Sequence, residues 1–375
     1  MFACFVDFSK AFDLINREQL MLQILNKNID GNFYWSLKSL YAQTTSCLKI
    51  NGEMTQFFNI PNGVRQGDPL SPTLFSIFID SLISELKSLN LGIDINDLIL
   101  TVLAYADDLV IITDSESKMQ ELLNALTQWC YRWRLSINNT KSGVVHFRRN
   151  RVRRTEFKFQ LAGTDVEIVS EYKYLGVVLD EHLTYRSATR ILANAGGRAL
   201  GGIISKFKGF KDIGYNTYTK LFESCVLPIL EYGAGVWAPS SKKYPDIDNI
   251  MYRACRYYLG VHKFAPILGI MGDMGWVPNS VRRQIVVCRM WNRLVKMDDA
   301  RLTKHMFKYD LQCNGKFSRF IEQLCDDYNL LSIYEECGIF DLQDIKRKAM
   351  TEYANIWKEE VSSKPKLRSY KEFKS

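Results

Sequence analysis

No stretch of this 375-residue chain approaches the ~20 consecutive apolar residues of a membrane-spanning helix, so no such helix is expected. Histidine is scarce, and His146, His182, His262 and His305 stand at no ligand spacing; they read as structural or exposed. The nine cysteines include no pair at zinc-site spacing and no cysteine with a histidine in ligand register, which argues against a zinc fold. Their odd number, with no basic leader or cleavage site at Met1, predicts a reducing, intracellular compartment, nucleus or cytoplasm. No internal repeat or low-complexity segment is evident. What remains is an ordinary globular composition, 47% hydrophobic and 24% charged. The length predicts two or three domains of roughly 100–200 residues. Lys and Arg exceed Asp and Glu by 49 to 41, a formal charge of +8 that is compatible with a polyanionic partner without requiring one.

The apolar run 2–8 predicts a buried strand ending on Asp7. Helical spacing of Phe12, Ile15, Leu20, Ile24 and Leu25 predicts one helix from Ala11 to about Lys27, and a second covers Phe33 to Gln43. Asn51-Gly52 is a strong turn signal inside 46–60, read as two strands. A Gly/Pro-rich loop, Pro61 to Pro72, feeds a helix from Thr73 to about Leu89. In 99–113, two apolar runs flank Asp107-Asp108, which predicts a hairpin with the acids at its tip. Met119, Leu122, Leu123, Leu126, Trp129 and Trp133 mark the next helix. Residues 143–148 and 157–161 read as strands around a loop rich in arginine, and 172–179 as another strand. Beyond Asp180 helical periodicity dominates; Gly196-Gly197 and Gly201-Gly202 interrupt one helix, as close packing would require.

An Asp at the end of a buried strand is costly unless its charge is compensated. Two such places occur, Asp7 and Asp107-Asp108. If both elements lay in one sheet, three carboxylates would converge and raise each other's pKa unless cations sat between them. Mg²⁺ suits such oxygen ligands, and a pair of ions about 4 Å apart can activate a hydroxyl and steady a leaving phosphate. Spacing alone leaves a plainer alternative open: Asp is common at hairpin tips.

Five segments in order carry a resemblance. Phe5-Val6-Asp7-Phe8-Ser9-Lys10-Ala11-Phe12-Asp13 resembles the first catalytic motif of reverse transcriptases of non-LTR (LINE-like) retrotransposons. Asn62-Gly63-Val64-Arg65-Gln66-Gly67-Asp68-Pro69-Leu70-Ser71-Pro72 is similar to the second motif and Tyr105-Ala106-Asp107-Asp108 to the third. Asn138-Asn139-Thr140-Lys141-Ser142 resembles the fourth, and Tyr172-Lys173-Tyr174-Leu175-Gly176 the primer grip. Further on, Val226 to Trp237, Leu259 to Lys263 and Gly272 to Pro278 look like the thumb region of the same enzymes.

The resemblance implies an α+β right-hand polymerase palm, an antiparallel sheet with helices on one face, followed by a helical thumb and a helical C-terminal region. The implied boundaries are 1–182 for the palm with its primer grip, 183–262 for the thumb and 263–375 for the rest. The implied activity is RNA-directed DNA polymerisation, with two Mg²⁺ ions (Mn²⁺ as a substitute), an RNA template, a DNA primer and dNTPs. Asp7, Asp107 and Asp108 would be catalytic and hold metal, with the Phe8 backbone carbonyl. Phe12, five residues after Asp7, would be a steric gate against a ribose 2′-OH. Gln66, Gly67 and Lys141 would contact the nucleotide, and Tyr174, Leu175 and Gly176 the primer. Arg148, Arg149, Arg151, Arg153 and Arg154 would meet nucleic-acid backbone, although such a run is also an ordinary solvated loop. The chain starts at the first motif, so the family's fingers region is expected to be missing, with weak nucleotide binding as the consequence. A rival reading is therefore an inactive remnant that only binds nucleic acid.

Overall fold

The computed structural model describes residues 1–96, 98–207, 213–241, 243–367, 369, 370 and 372. The chain divides into two units, Met1–His182 and Leu183–Ser375.

The first unit opens with β1 (Phe2–Val6), α1 (Ala11–Leu14), α2 (Arg17–Asn26) and α3 (Gly31–Ala42). Four two-residue strands follow: β2 (Thr45–Ser46), β3 (Lys49–Ile50), β4 (Glu53–Met54) and β5 (Phe58–Asn59). Next come α4 (Ser71–Ser88), β6 (Ile93–Ile95), β7 (Leu98–Leu100), β8 (Val102–Tyr105) and β9 (Asp108–Thr113). The unit closes with α5 (Glu116–Trp133), β10 (Gly143–His146) and two hairpins, β11 (Phe159–Leu161) with β12 (Thr164–Val166) and β13 (Glu171–Tyr174) with β14 (Val177–Asp180).

The central sheet is antiparallel, in the order β10-β1-β9-β8. Side chains alternate between its faces. Phe2, Cys4 and Val6 point to one face, where they pack with Leu20 and Ile24 of α2, Phe75 and Phe78 of α4, and Leu122 and Trp129 of α5. Ala3 and Phe5 point to the other, with Val110, Ile112 and Val145. That second face is covered by strand residues, among them Tyr172, Tyr174 and Leu179. The helices of the unit thus serve one face. Burying β1 on both sides, at about 1.5–3 kcal/mol for each large apolar side chain, holds it at the centre of the sheet.

Several elements differ from the sequence reading. The helix expected over Ala11–Lys27 is two, because Asn16 caps α2 by accepting a hydrogen bond from the Gln19 N–H at 3.0 Å. The carbonyls freed at the break are satisfied by a distant loop: Gly63 N–H donates to Ile15 O and Val64 N–H to Phe12 O, both at 2.8 Å. The run 99–106 is also divided, between β7, which pairs with β6, and β8, which joins the central sheet. Residues 172–179 are a hairpin rather than one strand, turned at Leu175-Gly176, both of which have positive φ. Asn51-Gly52 does turn a hairpin, pairing β3 with β4.

The second unit is helical: α6 (Arg186–Phe207), α7 (Tyr215–Cys225), α8 (Leu227–Leu230), α9 (Ala234–Trp237), α10 (Pro245–Leu259) and α11 (Ile267–Met274) lead to α12 (Asn279–Val295). Then come α13 (Leu302–Gln312), α14 (Lys316–Asp327), α15 (Leu331–Glu335) and α16 (Leu342–Ser363). α10 packs on α11 and α12, so residues on both sides of 262 share one unit. α6 runs unbroken through its glycines. A Cβ at Gly196 would run into Leu230, so that glycine admits α8, whereas Gly201 and Gly202 face open space. Among the described residues no helix is long and apolar enough to cross a membrane.

Candidate active site

The sheet register brings the acids of the first and third motifs together. Val6 pairs with Leu109, so one further step sets Asp7 opposite Asp108. Both belong to the face of Ala3, Phe5, Val110 and Ile112, because the side-chain period is two. Asp107 lies beside them in the two-residue turn between Tyr105 and Asp108. In that turn Ala106 has a φ of 53° while Asp107 keeps a negative one, an arrangement in which glycine is the usual first residue. Burial, then the charges of Asp107 and Asp7, push the Asp108 carboxyl above its ordinary pKa. Hard carboxylate oxygens in mutual repulsion are the chemistry a divalent cation relieves. Among the described residues no set of three or more His, Cys, Asp or Glu is already drawn into metal-binding geometry.

Asp7 is fixed through its backbone. Its N–H donates to Ser142 Oγ at 3.1 Å, and its carbonyl accepts from Asn138 N–H at 2.8 Å. The loop of the fourth motif is therefore docked against the first. Lys141 Nζ stands 4.0 Å from Asp7 Oδ2, on a largely exposed side chain. Phe8 is buried on the helical face and bridges to Ile137. On the opposite face Phe5 stacks on Tyr172 at 4.4 Å, and Tyr172 donates its hydroxyl to Lys141 O at 2.8 Å. Burial, then Asp7 and Asp108, raise the Tyr172 pKa; burial, then Asp108, raise that of Tyr174. The hairpin carrying Tyr174, Leu175 and Gly176 therefore lies within the electrostatic reach of the acids.

Phe12 stacks on Phe75 at 4.7 Å, and shares an open cavity of about 460 Å³ with Gln66, Gly67 and Pro69. Gln66 Nε2 donates to Asp13 Oδ1 at 2.9 Å, tying the second motif to the first. Gly63, with a φ of 82°, comes so close to Asp13 that a Cβ would lie 2.6 Å from its carbonyl oxygen. The residue that staples this loop, Arg17, was not singled out from sequence. Its guanidinium donates to the carbonyls of Gly63 and Ile60 at 2.8 Å, Tyr41 at 3.1 Å and Asn62 at 3.2 Å. It also sits over the Tyr41 ring, and partial burial lowers its pKa. An isolated arginine on an amphipathic helix carries no signal of such a role.

The arginine loop is divided in its partners. Arg148 and Arg154 both pair with Glu181, at 3.0 and 2.8 Å, and Arg148 is largely buried. Arg149, Arg151 and Arg153 are exposed.

A four-stranded antiparallel sheet with helices on one face, and carboxylates brought to the ends of two neighbouring strands on the other, is the palm architecture of a template-directed polymerase. The family described as "Reverse transcriptase (RNA-dependent DNA polymerase)" matches residues 2–179. The RNA-directed DNA polymerase from the mobile element jockey of Drosophila funebris is 25% identical over 248 residues, covering 64% of this chain and 26% of that protein. The Pol polyprotein of the type-1 retrotransposable element R2 of Popillia japonica is 27% identical over 324 residues, 81% of this chain and 51% of that protein. A telomerase structure from Candida albicans aligns with a TM-score of 0.39 at 9% identity over 69% of this chain and 47% of that one, a likeness too loose to argue from. The chain spans about a quarter to a half of the length of these curated relatives. Residues 2–179 match the reverse transcriptase family, and the relatives named here are enzymes of non-LTR retrotransposons. That family generally uses divalent metal ions.

Proposed function

We propose that this chain is an RNA-directed DNA polymerase module that adds dNTPs to a DNA primer on an RNA template. The observation that carries the reading is the register of β1 on β9, which runs to Val6 opposite Leu109 and so carries Asp7 toward Asp108 on one face of the sheet, with Asp107 in the adjoining turn. Asp7, Asp107 and Asp108, with the Phe8 carbonyl, would hold two Mg²⁺ ions, Mn²⁺ being a substitute. When bound, these would supply the positive charge that favours ionisation of a primer 3′-hydroxyl and steadies a leaving pyrophosphate.

The chain's own groups then divide the work. Lys141, 4.0 Å from Asp7, is within reach to donate a proton to, or balance charge on, a pyrophosphate oxygen. The Phe12 ring, at the cavity shared with Gln66 and Gly67, would exclude a 2′-hydroxyl. Gly67, with a φ of 84°, lets its backbone approach the nucleotide, and Gln66 is oriented by Asp13. Tyr174, Leu175 and Gly176 would press on the primer. Arg149, Arg151 and Arg153 are the arginines exposed to meet backbone phosphate, whereas Arg148 and Arg154 are engaged by Glu181. Residues 183–262 would act as the thumb and 263–375 as a C-terminal helical region.

The test is primer extension on a primed RNA template with Mg²⁺ or Mn²⁺. Incorporation by the chain, abolished in Asp107→Ala without loss of fold or of template binding, is the expected result. A folded chain that binds primer–template and extends nothing with either metal defeats the catalytic reading. It would favour binding without chemistry, the reading that draws on the basic loop with its exposed Arg149, Arg151 and Arg153.

A further inference from the structure

The second unit contains a cavity of about 660 Å³ that the catalytic reading does not use. It lies among the residues that follow α9, the first two turns of α12 and the length of α14. Its lining includes Lys243, Ser280, Arg283, Lys316 and Arg319, with a single acid, Asp327. The volume falls within the range of about 300–1,000 Å³ in which small-molecule sites occur.

Arg283 makes this cavity unusual. It is 3% exposed, yet neither Nη1 nor Nη2 has a hydrogen-bond partner among the described residues. The acid beside it, Asp248, leaves Nη1 at 3.7 Å from Oδ1, beyond hydrogen-bond reach, and that carboxylate is also approached by Asn279 Nδ2 at 3.4 Å. The guanidinium lies over the rings of Trp237, at 5.6 Å, and Tyr244, at 5.1 Å. Both rings are held: Trp237 donates to Tyr232 O at 2.8 Å and Tyr244 to Trp237 O at 2.6 Å. A buried guanidinium normally directs its donors at carboxylate or carbonyl oxygens, since leaving them unmade costs several kcal/mol. Here the guanidinium lies over two fixed rings, its Nη1 and Nη2 make no hydrogen bond among the described residues, and three further cations line the same space. Such a fork matches the paired oxygens of a phosphate group.

We propose that this cavity is a phosphate-binding site, its phosphate held by the lining cations Arg283, Lys243, Lys316 and Arg319. The phosphate comes either from the backbone of a single-stranded RNA or from a free phosphate or nucleotide. The site itself stands apart from the polymerase reading; only the RNA source leans on it.

Two measurements on the full chain decide. In the first, the thermal midpoint is followed in inorganic phosphate against sodium chloride of equal ionic strength. Phosphate should raise the midpoint of the wild type and not that of Arg283→Gln. In the second, a labelled short single-stranded RNA is titrated by fluorescence anisotropy at several salt concentrations. The variant Lys316→Glu with Arg319→Glu alters exposed residues, so it reports even if Arg283→Gln does not fold. It should weaken RNA binding about tenfold or more and lower the salt slope by about 0.7 for each phosphate no longer neutralised. A control, Lys346→Glu with Lys358→Glu on exposed positions of α16, should leave affinity close to wild type.

If the lining variant loses the phosphate effect while RNA binding holds, the source is free phosphate or a nucleotide and the site stands. If phosphate does nothing to the wild type and the lining variant binds RNA as the wild type does, the proposal is overturned. It is equally overturned if the control loses as much RNA affinity as the lining variant. Failure of the polymerase reading is separate: a wild-type chain that extends no primer can still show every result described for this cavity, and Asp107→Ala should keep them too.

Discussion

Replacing Arg17 with alanine probes how the nucleotide-facing loop is held in place. Four carbonyls accept from this one guanidinium, two of them, Gly63 and Ile60, at 2.8 Å. A hydrogen bond with a charged donor contributes about 1.5–3 kcal/mol net. Arg17 is only partly buried, so water can reach the freed carbonyls, and the bonds to Tyr41 and Asn62 are longer. Taking the two short bonds at the lower value gives about 3 kcal/mol. Removing a positive charge from the first turn of α2 returns a few tenths of that. With a urea m value of about 2–3 kcal/mol/M, the unfolding midpoint should drop by about 1 M. Urea unfolding followed by circular dichroism measures the shift, and the KM for dNTP should rise, because Gln66 and Gly67 lie on the loop that Arg17 staples. Arg17→Lys should recover less than half of the loss, since an ammonium cannot reproduce the fork. A shift below about 0.2 M for Arg17→Ala, with KM unchanged, would show that this residue does not position the loop.

Phe12→Val should open the cavity beside Gln66 to a 2′-hydroxyl; the ratio of rNTP to dNTP incorporation should rise on the order of tenfold, and an unchanged ratio would return Phe12 to the role of a packing residue. Ala106→Gly should raise stability by about 0.5–1 kcal/mol, read in the urea midpoint, because the positive φ of that turn strains an alanine. Asp108→Asn tests the crowding of the acids: the folded state raises this carboxyl's pKa, so its ionisation opposes folding. The penalty is absent below the unfolded pKa and grows as pH rises through the folded one. The variant should therefore have the higher thermal midpoint at pH 7, with the gain shrinking as pH falls toward about 4, and a gain independent of pH would contradict that account.

Much of the site could be read from the chain because local pattern and tertiary placement agree there. An apolar run that ends on Asp7, and two runs that flank Asp107-Asp108, specify strands with acids at their ends whatever their partners are. Period-two alternation then assigns Asp7 to the face of Ala3 and Phe5, and Asp108 to that of Val110 and Ile112. Only the pairing of β1 with β9 had to come from the structure, and it puts those two faces on the same side. Asn51-Gly52 was legible for a similar reason: both residues tolerate the positive φ that a two-residue hairpin turn needs.

What escaped the sequence depends on partners far along the chain. Within Ala11–Lys27 only Asn16, an N-cap residue, marks the break, and Ile15 before it still fits the helical stripe; the break is stable because Gly63 and Val64, some fifty positions later, satisfy its carbonyls. The arginine loop reads as uniform, yet Glu181 engages Arg148 and Arg154 and leaves Arg149, Arg151 and Arg153 exposed. Arg17 and Arg283 carry the same lesson in opposite senses. One sits partly exposed and directs its donors at loop carbonyls; the other is buried, and the two amino groups of its fork meet no acceptor among the described residues. Composition treats both as positive charge. Their chemistry follows from which oxygens the fold brings within hydrogen-bond reach, and for Arg283 the buried fork without a hydrogen bond among the described residues is the observation behind the proposed phosphate site.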